Sequence, residues 1–200
     1  MRHVVGDRLV IATHNKGKMR EFATLLEFHV KNIISSGDLG LPEPEETGTT
    51  FAENAILKAR AAAKAADNVA LADDSGLCVT ALGGAPGIFS ARWAGPAKDF
   101  EMAMRRVNEE LASAQDLSAA FVCVLALAWP DQHAETVEGR VDGSIIWPPR
   151  GEQGHGYDPV FVPAGHHHTF AEMPPEEKDA LSHRGKAARE LIRKYLTHAH

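Results

Sequence analysis

The chain has 200 residues, 21 of them basic and 27 acidic, so its formal net charge is −6 with neutral histidines. That balance argues against a surface built to grip nucleic acid, which carries a basic excess, yet leaves room for a local basic pocket that takes an anion. At 44% hydrophobic and 24% charged residues the composition is globular, outside the disordered range, and the longest apolar run, residues 119–129, is about half of what a bilayer-spanning helix needs.

Asp7 and Arg8 interrupt any resemblance to a signal peptide. Cys78 and Cys123 sit inside apolar segments without metal-ligand spacing, so they read as buried thiols of a reducing compartment. The expectation is one soluble, cytoplasmic domain spanning residues 1–200, with no membrane and no nucleic-acid partner.

In chain order, residues 8–12 are short and rich in Leu, Val and Ile, which suits a buried strand. A polar loop, Thr13-His14-Asn15-Lys16-Gly17-Lys18, leads into a helix over about 18–27, and Ile33 and Ile34 mark a second strand. Residues 40–49 read as irregular. Thr50 with Glu53 fits a capping box that opens an alanine-rich helix over 51–66. Residues 69–72 form a strand that stops at Asp73-Asp74-Ser75-Gly76, with a further apolar piece over 78–82 and a turn-rich segment over 83–87. Asp99 caps a helix over 100–111. Strands over 119–129 and 136–142 pair through the turn at 130–135. A glycine-rich loop covers 151–159, a short apolar piece 160–163, and a helical region runs from Pro174 to Tyr195 with a break near 182–185. Strands and helices interleave in one unit, which predicts an α/β fold with a mixed sheet.

Angular position singles out Lys58. At about 100° per residue, Phe51, Ala55, Ala59, Ala62 and Ala66 share one arc, while Glu53, Arg60 and Lys64 take the opposite, water-facing side. Lys58 falls at the margin of the buried arc, four residues after Asn54. It either snorkels outward or meets an anion, and taken alone snorkelling is the commoner outcome. Asp73-Asp74 after a buried strand reads in two ways. One carboxylate faces a crevice, where it holds Mg²⁺ or accepts a proton, or the four residues are an ordinary Asp-Ser-Gly turn.

The loop at 13–18 joins strand to helix, so its N–H groups form an anion cradle, although it lacks the spacing of a Walker A loop. Glycines on both sides of His155 let its ring approach a flat ligand. Lys178, His183 and Arg184 form a cationic cluster suited to phosphate or a base carbonyl. His166-His167-His168 reads as an exposed loop rather than a metal tract. Cations, paired carboxylates and a ring platform are together the complement of a nucleotide.

In register along the chain stand Ala12-Thr13-His14-Asn15-Lys16-Gly17-Lys18, Glu46-Thr47-Gly48, Phe51 with Glu53-Asn54-Ala55 and Lys58-Ala59, and Ala72-Asp73-Asp74-Ser75-Gly76-Leu77. They are followed by Gly83-Gly84-Ala85-Pro86-Gly87 with Ser90-Ala91-Arg92, Gly156-Tyr157-Asp158-Pro159 and Ser182-His183-Arg184-Gly185. On these seven pieces the sequence resembles the inosine triphosphate pyrophosphatase family from Leu9 to about Leu191. The resemblance implies a long curved mixed sheet flanked by helices, two lobes around a central nucleotide-binding cleft, and a homodimer. It implies hydrolysis of non-standard purine nucleoside triphosphates (dITP, ITP, XTP) to the monophosphate and pyrophosphate.

Carried over residue by residue, the triphosphate loop falls on Thr13, His14, Asn15, Lys16, Gly17 and Lys18. The resemblance also implies Mg²⁺ on Glu46 and Asp74, Asp74 as general base, Lys58 facing phosphate, and Ser75 on the substrate. The base pocket falls on His155, Gly156, Tyr157, Asp158, Lys178, His183 and Arg184. Members of that family usually carry phenylalanine where His155 stands, and the smaller imidazole ring bears on base affinity and its pH dependence. The alternatives are a pyrophosphatase for pyrimidine or other modified nucleotides, and a nucleotide-binding regulator without turnover.

Overall fold

The computed structural model describes residues 8–196; the leader reading at residues 1–7 lies outside them. The strands are β1 (Arg8–Ile11), β2 (Asn32–Ser35), β3 (Ala70–Val79), β4 (Ser118–Ala128), β5 (Ala134–Ile145) and β6 (Phe161–Pro163). They form one six-stranded mixed sheet in the order β2-β1-β3-β4-β5-β6. The chain divides into two compact units, one holding residues up to Asp74 with 124–139 and the chain from Ala187, the other holding 75–123 and 140–186. No helix of the described residues is long and apolar enough to cross a membrane, and neither cysteine is in a disulfide.

In the first unit β1 runs parallel to β2, with Leu9 opposite Ile33, and parallel to the start of β3, with Val10 opposite Ala70. Leu9, Val10 and Ile11 are buried without alternation, as are Ala70, Leu71 and Ala72, because parallel strands are covered on both faces. Helix α1 (Lys16–Leu26) starts on Asn15, whose side chain accepts the Gly17 and Lys18 N–H groups. Helix α2 (Phe51–Ala66) packs on β1.

The predicted cap of α2 is present, with the Thr50 hydroxyl accepting the Glu53 N–H at 3.1 Å. The reciprocal bond is shifted by one residue, because the Glu53 carboxylate takes the Thr49 N–H at 2.6 Å. The buried face is Asn54, Ala55, Lys58, Ala59, Ala62 and Ala63, rotated from the predicted arc so that Phe51 and Ala66 are half-buried. Lys58 therefore lies within the buried face rather than at its margin, and snorkelling is excluded.

The larger correction concerns β3. The strand predicted to stop at Asp73 continues through Asp73-Asp74-Ser75-Gly76 to Val79. Asp-Ser-Gly favours turns because its side chains compete for backbone N–H groups. Here Asp73 and Asp74 are buried beside lysines instead, and the ladder prevails over the local preference. Both the ordinary turn and the strand-end placement of these carboxylates are thereby overturned.

In the second unit β5 runs antiparallel to β6, Gly143 opposite Pro163 and Ile145 opposite Phe161. Gly143 is required by close approach, since a Cβ there would meet the Val162 carbonyl at 2.2 Å. Helices α3 (Ser90–Trp93) and α4 (Phe100–Leu111) follow β3, and Asp99 caps α4 through the Met102 N–H at 3.0 Å. Ala103, Met104, Val107 and Leu111 line one face of α4 and join Leu77, Val79, Phe121, Phe161 and Phe170 in the core of this unit. Each large side chain so buried stabilises the fold by about 1.5–3 kcal/mol. The predicted break in the last helical region is the single extended residue Ser182 between α5 (Pro175–Leu181) and α6 (His183–Leu191). Its hydroxyl accepts the Gly185 N–H at 2.9 Å.

Candidate functional site

The functional residues fall into a set on each unit. On the first, the 13–18 loop is shaped by its own side chains. The Thr13 hydroxyl accepts the Asn15 N–H at 3.1 Å, and Asn15 Oδ1 accepts from Gly17 at 2.8 Å and from Lys18 at 3.1 Å. Those two N–H groups are thus occupied by the cap, so what the loop offers an anion is chiefly the exposed Lys16 and the ammonium of Lys18. His14 is held through Nε2 by the Leu41 carbonyl at 2.7 Å. Thr13, His14, Asn15 and Lys16 line an open concavity of about 450 Å³ shared with Arg20 and Asp38.

Asp73 is the residue that sequence reasoning left without a role. Its two carboxylate oxygens accept from Lys18 Nζ at 2.9 and 3.1 Å. A bidentate grip on a lysine from a buried strand sets where the first turn of α1 carries its charge. The signal for it was an acidic pair inside an apolar run, which is costly unless a cation answers each member.

Lys58 answers the other. Its ammonium lies against Glu46 Oε1 and 3.7 Å from Asp74 Oδ1. Burial works against the Lys58 charge, but Asp73, Asp74 and Glu46 outweigh it and hold its pKa above the ordinary lysine value. Asp74 behaves differently. Burial pushes its carboxyl up from 3.8 to about 6 against the pull of Lys58, the Glu46 charge adds to the rise, and the Asn54 side chain offsets part of it.

Asp74 Oδ2 is buried with no hydrogen-bond partner among the described residues. A buried carboxylate oxygen left in that state is an acceptor awaiting a ligand or a proton. The hard oxygens of Glu46 and Asp74 fit Mg²⁺, which is commonly held by one or two carboxylates together with substrate phosphates.

On the second unit Asp158 organises the glycine-rich loop. Its Oδ2 accepts the His155 N–H at 2.9 Å and the Lys178 ammonium. Gly154, at φ +74°, would place a Cβ 2.2 Å from the same oxygen, so glycine is needed there on both counts. His155 is exposed. Tyr157 is not: its ring is buried edge-on to Phe100 with centroids 5.6 Å apart, and its hydroxyl donates to the Ser90 carbonyl at 2.7 Å. Burial raises its pKa well above the ordinary phenol value. The Tyr157 side chain thus belongs to the core, leaving only its backbone for a ligand.

Tyr157→Phe leaves the Ser90 carbonyl without that donor, so its thermal midpoint is expected to fall by an amount matching about 1–2 kcal/mol. An unchanged melting curve would show that the hydroxyl contributes nothing.

The His183 ring stacks on Phe121 at 4.9 Å with planes 12° apart. Arg184 is buried, with an Nη donating to Ser75 Oγ at 3.4 Å. Lys178, half-enclosed, lies 6.0 Å above the Phe170 ring. Glycine-flanked His155, a stacked imidazole and two cations, with Ser75 beside one of them, are thus all carried by this unit.

The fold defines a class: an α/β protein built on one mixed six-stranded sheet, with buried carboxylates met by lysines on its first unit and Lys178 and Arg184 on its second. Within that class the chain belongs to the Ham1 family, whose sequence profile matches residues 9–194, and the resemblance drawn from the motifs is borne out. It is similar to a protein of Rhodospirillum centenum named dITP/XTP pyrophosphatase, 60% identical over 194 residues and covering 96% of each chain. A protein of the same name from Gluconobacter oxydans is 56% identical over 91% of this chain and 88% of its own. Among solved structures, a HAM1 protein from Coxiella burnetii superimposes with a TM-score of 0.87 at 42% identity, covering 93% of this chain and 96% of that one. The Staphylococcus aureus Ham1 protein gives 0.85 at 40% identity with the same coverage.

Proposed function

We propose that this chain is a Mg²⁺-dependent pyrophosphatase that hydrolyses dITP, XTP and ITP to the nucleoside monophosphate and pyrophosphate, clearing such nucleotides before they enter DNA or RNA. The observation that carries the reading is the buried Asp74 carboxylate, with a pKa near 6 and one orphaned oxygen, set beside Lys58 and Glu46. It is supported by the names of the relatives.

Glu46 and Asp74 would hold the metal, which when bound supplies charge neutralisation to the triphosphate. Lys58, Lys16 and Lys18 take up the remaining phosphate charge, and the Asp73 grip on Lys18 directs that ammonium. Asp74, ionised at neutral pH yet more basic than an exposed aspartate, accepts the proton of the attacking water. As the water oxygen bonds to phosphorus, the phosphoanhydride separating monophosphate from pyrophosphate breaks, and its bridging oxygen leaves with the bonding pair.

Selection against adenine acts at purine C6, where hypoxanthine and xanthine carry a carbonyl and adenine an amino group, whereas guanine shares the carbonyl and is turned away at its 2-amino group. Donors from Arg184 and His183 pair with the carbonyl, and an adenine would set donor against donor. Ser75, His155, Gly156 and Asp158 with Lys178 shape that pocket, and the chain works as the homodimer that its family resemblance implies.

Pyrophosphate release across a panel of dITP, XTP, ITP, dUTP and the four normal dNTPs, with and without Mg²⁺, tests the reading. Turnover of dITP and XTP should exceed that of dATP by about 10³–10⁴ and vanish on chelation. Preference for dUTP would assign the protein to pyrimidine nucleotides, and tight dITP binding without product would make it a regulator.

A further inference from the structure

Asn54 stands one helical turn before Lys58 on α2 and is 1% exposed. A buried amide in a helix interior is unfavourable unless both its ends are used. Its Oδ1 accepts the Gly48 N–H at 2.8 Å, two residues after Glu46. That approach is so close that a Cβ on Gly48 would lie 2.6 Å from Oδ1 and 2.7 Å from the Glu53 Cβ. The side chain also hydrogen-bonds the Asp74 carboxylate.

A circuit results. Lys58 touches Glu46 and Asp74, while Asn54 touches the backbone just past Glu46 and acts on Asp74. Two side chains four residues apart on one helix thus tie the same strap to the same strand residue. Lys58 does so with charge, which a bound polyanion or cation competes for. Asn54 is neutral, and its bond to the backbone survives such competition.

We propose that Asn54 is a positioning residue that pins the Glu46-Thr47-Gly48 strap to α2 and so fixes Glu46 relative to Asp74 for joint use as a divalent-cation pair. The proposal rests on the metal-dependent reading above and goes beyond it by assigning the preorganisation of the pair to one buried amide. Lys58 alone cannot supply it, because a lysine has four rotatable side-chain bonds and a strongly hydrated head, whereas the Gly48 contact holds main chain.

The test is Mn²⁺ binding to the nucleotide-free enzyme, followed by the loss of the free-ion signal in electron paramagnetic resonance well below the melting temperature, together with kcat and KM for dITP. Asn54→Ala and Gly48→Ala should each weaken Mn²⁺ binding about 10–100-fold and lower kcat with KM for the nucleotide held within about threefold. Asn54→Asp keeps an acceptor for the Gly48 N–H, so its Mn²⁺ affinity should stay within about threefold of the parent or tighten.

Unchanged Mn²⁺ affinity in Asn54→Ala at a temperature where the variant is folded would overturn the proposal. An equal loss in Asn54→Asp would do the same, since the Gly48 acceptor would then be irrelevant. A parent enzyme that binds Mn²⁺ but releases no pyrophosphate from any nucleotide would sink the proposed function while the binding arm still decided the role of Asn54. A parent that bound no Mn²⁺ without nucleotide would overturn the role given to Asn54, while Mg²⁺-dependent pyrophosphate release from dITP would still uphold the proposed function.

Discussion

Asp74→Asn is expected to lose about 10²–10³ in kcat and yet to melt at a higher temperature than the parent at pH 7.5. The first effect follows from removing the only carboxylate oxygen in this set that is buried and without a hydrogen-bond partner among the described residues. The second follows from the direction of its pKa. Burial lifts the folded-state value from 3.8 to about 6, so between those values the folded chain binds more protons than the unfolded one.

Stability therefore falls as pH rises through that window, and above it the full cost of burying an ionised carboxylate is present. A shift of that size corresponds to roughly 2–3 kcal/mol, which for a chain of this length is a rise of roughly 4–12 °C. Asparagine mimics the neutral form and removes the cost. The difference in melting temperature should shrink below pH 6 and disappear near pH 4, where parent and variant are both uncharged at this position. A variant that is inactive but melts with the parent at every pH would mean that Asp74 is not held against its own solvation, and the link between burial and basicity would fail.

That trade-off explains why part of the site was legible in the sequence and part was not. Helix α2 could be read from residues 50–66 because its cap, its alanines and its solvent stripe are all local. The same holds for α4 with Asp99, and for the unbroken apolar run of β4. The continuation of β3 through Asp73 and Asp74 was not legible. The local chemistry of Asp-Ser-Gly says turn, while the groups that reverse it, Lys18 and Lys58, are distant in sequence and act only once the chain is folded.

Tyr157 misled for a related reason. Between glycines and an aspartate its ring looks available, but the Ser90 carbonyl that claims its hydroxyl lies 67 residues away. Lys58 was half-legible: helical spacing placed it at the edge of the buried face, and only the register of α2 on β1 shows it inside. Gly154 and Gly143 were visible as glycines, but the oxygens that exclude a Cβ at each belong to Asp158 and Val162. Strained or close-approach positions announce themselves by residue type, and their partners do not.

Lys58→Met provides the complementary result. It should lose a comparable factor of about 10²–10³ in kcat, but with the opposite effect on stability. The ammonium is the shared counter-charge of Glu46 and Asp74, whose side chains are 30% and 10% exposed. Removing one member of a buried pair typically costs about 3–5 kcal/mol, because the charge left behind is uncompensated. Without Lys58 the stronger of the two groups that lower the Asp74 pKa is gone, so that pKa should climb beyond about 6 and the destabilisation should be largest at pH 8 and relieved towards pH 5.

The double variant separates charge from shape. Lys58→Met with Asp74→Asn neutralises both members of that contact and leaves only the less buried Glu46 unanswered, so it should recover the share of the stability lost in Lys58→Met at pH 8 that Asp74 causes, while remaining as inactive as either single variant. The coupling in the cycle should be large and favourable at pH 8 and small at pH 5, following the ionisation of Asp74 rather than the volume of either side chain. Thermal melts at the two pH values give that coupling. Additive effects of the two substitutions at pH 8 would show that the lysine stabilises through Glu46 or its aliphatic stem, and the pairing of Lys58 with Asp74 would fall.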